Sequence, residues 1–243
     1  MKQHLNTIII ALAVISAGYL LARGYQNRAL NQNAISVTGL GEENFTSDLI
    51  VWSGSFSSKD YELKTANNLL NKDQKTILNY LKSKGLSDDE IVFEGVNIQR
   101  DYTYDYDDRG VLVNTTFNGF ILTQSLKVTS KKVDTVEEIS RSVTDLIDLG
   151  VEFNAMSPYF YYTKLAQLKL RMIEAATKDA RERASKIAEN AGDELGSLKN
   201  ADMGVFQITG ENSSEEYSWG GNFNTSSKKK TANITIRLRY EID

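Results

Sequence analysis

The chain of 243 residues contains no cysteine, one histidine and one proline. Without cysteine it has no disulfide, no thiol nucleophile and no Cys-ligated zinc or iron–sulfur site. The histidine, His4, precedes the first apolar run, so the rest of the chain offers none for a Ser–His–Asp triad or a histidine metal site. We therefore expect no catalytic, cofactor-binding or metal-binding residues. The scarcity of proline indicates packed structure rather than a linker-rich chain.

The sequence also lacks a surplus of basic residues, since its formal net charge is −4. An acidic chain does not attract nucleic acid or anionic lipid through its overall field. The lysine run Lys228-Lys229-Lys230 is local, and such charges commonly flank and protect strands. We therefore expect no nucleic-acid partner.

An uncharged apolar run, IIIALAVISAGYLLA, covers residues 8–22. Counted from Leu5 it would be about 27 Å long as a helix, close to the thickness of a bilayer hydrocarbon core. The alternatives are an uncleaved anchor and a cleaved signal peptide. The small residues at 16–18 are followed by further apolar residues, whereas a cleavage site closes such a run, which favours the anchor. We predict a transmembrane anchor over residues 1–23 and a polar tether over residues 24–34. The residues expected in the bilayer include Ile8, Leu12, Ile15 and Leu20.

Beyond the tether, the spacing of apolar residues predicts one α+β domain over residues 35–243. Residues 49–156 read as strand–helix–strand–strand–helix–strand. This order is typical of a ferredoxin-like antiparallel sheet with both helices on one face. A long third helix over about 163–191 and an alternating C-terminal strand, TANITIRLRYEID, extend the arrangement. A domain of this size is within the range that one hydrophobic core can serve.

Three further local features carry predictions. The second helix is expected to begin at Thr135 with Glu138 as its capping partner and to end at Gly150. Gln124 falls on the apolar face of its strand and needs a hydrogen-bond partner there. Residues 209–227, rich in serine, glycine and asparagine, predict a mobile loop.

The glycine pair in Gly39-Leu40-Gly41 raises the question of a phosphate-binding loop. A dinucleotide loop needs a third small residue and must open a helix. Here Asn44 occupies the third place, a strand follows, and Glu42-Glu43 would repel phosphate. We therefore predict a turn between two strands and no nucleotide site.

The segment DYTYDYDDRG, residues 101–110, combines aspartates with tyrosines. The aspartate spacing misses the EF-hand pattern, so a solvated hairpin tip is the better interpretation than a calcium site. The tyrosines fall on one face of the strand, and tyrosine rows suit partner surfaces because each ring buries area while keeping a polar tip. Packing against the protein's own helix is the alternative. The predicted partner interface consists of Tyr102, Tyr104 and Tyr106.

Five stretches follow the predicted elements in order: ISVTGLGEENFTSDLIVWSGSF, LKSKGLSDDEI, SPYFYYTKL, AATKDARERASKIAENAG and TANITIRLRYEID. Together with the apolar N-terminus they resemble the SIMPL-domain family of bacterial exported and membrane-anchored proteins, over roughly residues 34–243. Many relatives have a proline before the aspartate of the second strand, where this chain has Ser47-Asp48.

The resemblance implies an extracytoplasmic α+β domain, assembly into ring-like oligomers in some members, and links to envelope or oxidative-stress defence. It offers no catalytic residues to carry over. We therefore expect a non-enzymatic domain, tethered to the inner membrane by a single span and facing the periplasm. It would act by self-association or by holding a protein partner of unknown identity. The alternatives are a small-ligand or lipid carrier using the concave side of the sheet, and a carboxylate-based hydrolase.

Overall fold

The fold is an α+β arrangement, as predicted, seen in a computed structural model that describes residues 14–23 and 34–242. Residues 14–23 are helical. The strands are β1 (Ala34–Thr46), β2 (Leu49–Asp60), β3 (Ile91–Tyr106), β4 (Leu112–Ser130), β5 (Phe153–Ala155), β6 (Tyr159–Tyr161), β7 (Leu195–Met203), β8 (Gln207–Gly210) and β9 (Lys229–Ile242). The helices are α1 (Leu63–Ser83), α2 (Val133–Ser142), α3 (Asp145–Asp148) and α4 (Leu165–Ala191), with a 3₁₀ turn at Asp88–Glu90.

The first sheet has the strand order β3-β4-β2-β5, and β6 also pairs with β2. Every pairing in it is antiparallel. Helix α1 packs on β2 and β4, and α2 packs on β2. The predicted order strand–helix–strand–strand–helix–strand is therefore present from β2 to β5. The core between this sheet and its helices includes Ile50, Trp52, Phe56, Leu70, Ile77, Leu122, Leu126, Val136 and Ile139.

The second sheet has the order β1-β9-β7, with β8 also paired to β9. Helix α4 packs on it through contacts with β1 and β9. The long third helix was predicted, and its residues at helical spacing from Leu168 to Ala184 are buried, whereas Ile187 is exposed. The described residues have two hydrophobic cores rather than one, because β1 pairs along its whole length with β9 and so gives α4 a sheet of its own. The second core includes Val37, Leu168, Met172, Ala176, Ala180, Ile234, Ile236 and Leu238.

The prediction of a turn at the glycine pair was wrong, because Gly39 and Gly41 lie inside β1. A Cβ on Gly39 would lie 2.2 Å from the carbonyl oxygen of Ala176, and one on Gly41 would lie 2.3 Å from that of Met172. Real Cβ contacts of that length do not occur. The glycines therefore let the backbone of α4 approach the strand directly.

Two local predictions have different outcomes. Gln124 has the partner it needed, since its Nε2 donates to the carbonyl oxygen of Glu94, 2.8 Å away at the bulge in β3. The second predicted helix starts earlier than expected, at Val133, and no side chain caps it. Val133 is buried in the first core, which draws the first turn inward ahead of Thr135. The helix is then divided into α2 and α3 before Gly150, whose φ is +78°.

Candidate functional site

The distal part of the hairpin formed by β3 and β4 extends beyond the rest of its sheet. Strand β2 ends at Asp60, opposite Phe120, whereas β3 and β4 continue to a turn closed by the N–H of Gly110 donating to the carbonyl oxygen of Asp107. Within the residues that the structure describes, the stretch between Asp101 and Gly119 is therefore a two-stranded ribbon. We call this stretch the distal hairpin.

Aromatic side chains continue the core-facing side of the sheet onto the distal hairpin. The ring of Phe120 contacts that of Phe117 at 5.3 Å between centroids, and Phe117 contacts Tyr102 at 5.5 Å. Tyr61, just before α1, packs on Phe117 from the other side. Tyr102 and Tyr104 are neighbours at 6.3 Å. The row therefore starts in the protein's core and runs outward.

Exposure increases along the tyrosine row, from 39% at Tyr102 to 52% at Tyr104 and 62% at Tyr106. Exposed apolar side chains are added by Val111, just before β4, and by Leu112 and Val113 at its start. The alternative was packing against the protein's own helix, whereas the ring that Tyr102 contacts is Phe117 of strand β4. The side chains of Tyr104 and Tyr106 are exposed to solvent.

Asp101, Asp105 and Asp107 of the distal hairpin have structural partners. Asp101 pairs with Lys59 at 2.5 Å, and Asp105 accepts a hydrogen bond from Asn114. Asp107 accepts the backbone N–H groups of Val111 and Arg109, and these bonds hold the pKa of its carboxyl below the ordinary value. Among the described residues no group of three or more His, Asp or Glu side chains is placed to hold a metal ion.

A groove that the sequence did not indicate lies on the outer face of the second sheet, opposite α4. Leu40 of β1 and Thr235 of β9 form its floor, and the loop after β8 forms one wall with Tyr217 and Trp219. Its cavity volume is about 650 Å³. Trp219 is fully exposed. The sequence predicted a mobile loop here. The indication of a binding site was the presence of Tyr217 and Trp219 in a stretch of small polar residues.

The loop that carries Trp219 is fastened by buried polar side chains. Gln207 donates to the carbonyl oxygen of Ser218 and accepts the N–H of Asn222, both at 2.7 Å. Lys230, which is 2% exposed, donates to the carbonyl oxygen of Asn224. Burial lowers the pKa of Lys230 to about 8, although the nearby carboxylate of Glu215 opposes this shift.

The predicted anchor lies only partly in the described residues. Ile8 and Leu12 fall outside them, whereas Ile15 and Leu20 lie on the helical stretch 14–23 with exposed side chains. None of the helices in the described ranges has the length and apolar character needed to span a bilayer.

The chain is similar to a known protein family, to a periplasmic protein and, weakly, to a solved structure. The profile of the SIMPL family, described as a protein of unknown function (DUF541), matches residues 35–239. The 26 kDa periplasmic immunogenic protein of Brucella melitensis is 27% identical over 148 residues, which are 60% of this chain and 59% of that protein. The chain therefore aligns with less than two thirds of that relative.

A crystal structure of a hydrolase from Listeria innocua is similar to this chain at 14% identity, covering 84% of this chain and 92% of that one. The TM-score is 0.19, which does not show a common fold.

The described residues define a two-sheet α+β protein in which one helix pair covers the first sheet and one long helix covers the second. The family match covers most of this structure, from the second residue of β1 to Arg239 in β9. The chain belongs to the SIMPL family.

Proposed function

We propose that this chain is a non-enzymatic, extracytoplasmic domain, tethered to the inner membrane, that works by self-association through the distal hairpin. The observation that carries the proposal is the exposure of Tyr104, Tyr106 and Leu112, which lies opposite Tyr106, on a two-stranded ribbon. Such a ribbon is marginally stable in water by itself, and apolar area left in solvent is typical of association sites. A second copy that covers the row would stabilise both hairpins.

The location is proposed on two supports. The apolar run over residues 8–22, when counted from Leu5, approaches the length of a membrane anchor, and a relative in Brucella melitensis is named as periplasmic. We propose that residues 1–23 cross the inner membrane and that the folded part faces the periplasm. A role in envelope or oxidative-stress defence, which the family resemblance implies, stays a prediction.

The strand order of the first sheet supports a ferredoxin-like interpretation of residues 49–155. Numbered from β2, the order β5-β2-β4-β3 corresponds to 4-1-3-2, with both crossover helices on the same sheet. In this interpretation the distal hairpin is an elongation of the central β-hairpin. It places the tyrosine row at the far end of the sheet.

A hydrolase that uses two carboxylates is less well supported. The carboxyl pKa that shifts furthest is that of Glu90, where hydrogen bonds outweigh the effect of burial and lower the pKa to about 2. Those bonds join Glu90 to Ser130, Ser87 and Lys132, which tie the start of β3 to the end of β4. A general acid needs a raised pKa, so this acid has a structural role.

The experiment that tests the proposal is sedimentation of the full chain in a mild detergent over a wide range of protein concentration. We expect a discrete oligomer that dissociates on dilution. Its interface should bury about 1,000 Å² or more, as specific interfaces do. A monomer at every concentration would contradict self-association. Fractionation of native membranes, with protease added from the periplasmic side, tests the anchor and its orientation separately.

A further inference from the structure

The groove on the outer face of the second sheet adjoins a smaller depression. The depression has a volume of about 250 Å³ and shares Gly204 and Thr235 with the groove. Its far end is formed by Thr38, Arg237 and Asp202, which lie opposite one another on β1, β9 and β7. The combined channel therefore crosses three strands, with Trp219 at one end and Arg237 at the other.

Gly204 packs closely on Thr235 where the groove and the depression adjoin. A Cβ at this position would lie 2.4 Å from the Oγ1 of Thr235. The backbone N–H of Gly204 donates to the carbonyl oxygen of Thr235, which fixes the segment against β9. Any side chain at this position would therefore press on Thr235, which lines both parts.

The aromatic end of the channel presents two flat rings on a loop whose backbone is held by hydrogen bonds. Asn233 donates from its Nδ2 to the hydroxyl of Tyr217 across 2.8 Å, and the Gln207 amide holds the backbone on both sides of Trp219. Both polar anchors are buried, at 5% exposure for Asn233 and 6% for Gln207. The fully exposed indole of Trp219 is therefore available to a ligand on a loop whose backbone is already fixed.

The polar end of the channel offers both donors and acceptors close together. Arg237 supplies a fork of N–H donors, Thr38 and Thr235 supply hydroxyls, and Asp202 supplies carboxylate oxygens, one of which accepts the Nδ2 of Asn200 at 2.6 Å. Because the guanidinium and the carboxylate have opposite signs, the lining has no net charge. A phosphate or a fatty acid would bring a charge that this lining does not balance.

We propose that this channel binds a neutral saccharide chain, with one pyranose ring stacked on Trp219 and the next hydroxyls bonded near Arg237 and Asp202. Sugars combine an apolar C–H face, which buries area on an indole, with adjacent hydroxyls that both donate and accept. The volume of the groove lies within the usual range of about 300–1,000 Å³ for small-ligand sites. This site is separate from the distal hairpin and does not depend on self-association.

The chain contains its own reporter for the test. It has two tryptophans, of which Trp52 is buried in the first core and Trp219 is fully exposed, so a ligand in the channel changes the emission of Trp219. The full chain in detergent is titrated separately with cellotetraose, tetra-N-acetylchitotetraose and laurate, each at two protein concentrations. We expect a saturable blue shift with at least one of the two saccharides, the same at both protein concentrations and insensitive to salt.

Variants decide whether the signal reports the proposed site. By calorimetry, Trp219→Ala should weaken saccharide binding at least about tenfold and Trp219→Phe should restore part of it. Tyr159→Ser, at an exposed tyrosine outside the channel, should bind like the wild type. Circular dichroism confirms that each variant is folded. The proposal is overturned if neither saccharide binds, if laurate alone binds, if the shift follows protein concentration, or if Trp219→Ala binds as the wild type does.

Discussion

The carboxylate of Asp179 in α4 accepts the backbone N–H of Leu40 in β1 across 2.9 Å. Strand β1 lies at the edge of the second sheet, so this N–H would otherwise be offered to water or to another chain. Arg183 pairs with the same carboxylate at 3.0 Å. The hydrogen bond therefore satisfies one backbone donor of the edge strand and links α4 to that strand.

Removing this carboxylate should weaken the edge of the second sheet. Asp179→Ala leaves the Leu40 N–H without its partner, and we expect the free energy of unfolding to fall by about 1 kcal/mol. Urea titration measures this free energy of unfolding. Glu182→Ala, three positions further along α4 at an exposed residue, is the control and should stay within about 0.5 kcal/mol of the wild type. Equal stability of the two variants would contradict the role given to Asp179.

Filling the contact between β1 and α4 should be costly. Gly39→Ala places a Cβ against the backbone of Ala176 and Ala180, and neither backbone can retreat without opening the second core. We expect a loss of roughly 1–3 kcal/mol in the free energy of unfolding. Gly95→Ala is the matched control, because that strand glycine has open space around its Cβ position. If both variants unfold at the same urea concentration, the close approach is not what requires glycine.

Acid should release the contact that ties β3 to β4. In the folded chain burial raises the pKa of Glu90, but hydrogen bonds from Ser130, Ser87 and Lys132 outweigh it and lower the pKa from 4.5 to about 2. A folded pKa below the unfolded one stabilises the fold above about pH 4.5, and this stabilisation is lost as the pH falls toward about 2.

The measurement for Glu90 is the free energy of unfolding of the wild type and of Glu90→Gln at several pH values from neutral to 2. We expect the wild type to lose more stability than the variant in that acid window. Glu174→Gln, at an exposed acid of α4, should retain the wild-type dependence. Parallel curves for the wild type and Glu90→Gln would show that the Glu90 bonds do not contribute.

Alkali should have the opposite effect at Lys230. Its pKa is about 8 in the folded chain and 10.5 is its ordinary value, so between these values the unfolded chain binds the extra proton. The free energy of unfolding therefore rises with pH across this window. Lys230→Met should flatten that rise and should loosen the loop held through Asn224. Denaturant titrations from pH 7 to 10 measure the difference, and identical slopes would contradict it.

Local periodicity predicted the parts of the fold in which one face of one element is buried. The stripe of Leu70 and Ile77 in α1, the alternation of Ile234 and Ile236 in β9, and the partner required by Gln124 all follow from spacing along the chain. In each case the residues that face the core recur at a regular spacing along the element, so the pattern is visible in sequence.

Pairing between distant strands was not predictable in the same way. Nothing near Gly39 indicates that its partner is Ile236 or that Ala176 lies against it, so the glycines looked like a turn. The channel beside Trp219 depends on the same pairing, because its floor comes from β1 and β9. The tyrosine row was visible as a pattern, but the two-stranded ribbon that exposes it depends on where β2 ends.

The central claim, self-association through the distal hairpin, is tested most directly by replacing its most exposed tyrosines. Sedimentation of the full chain in detergent compares the wild type, the double variant Tyr104→Ser/Tyr106→Ser, and Tyr159→Ser, whose tyrosine is 50% exposed in β6 and closely matches Tyr104. The account predicts an oligomer for the wild type and Tyr159→Ser and a monomer for the double variant. An oligomer of unchanged size and dissociation constant in the double variant would contradict it.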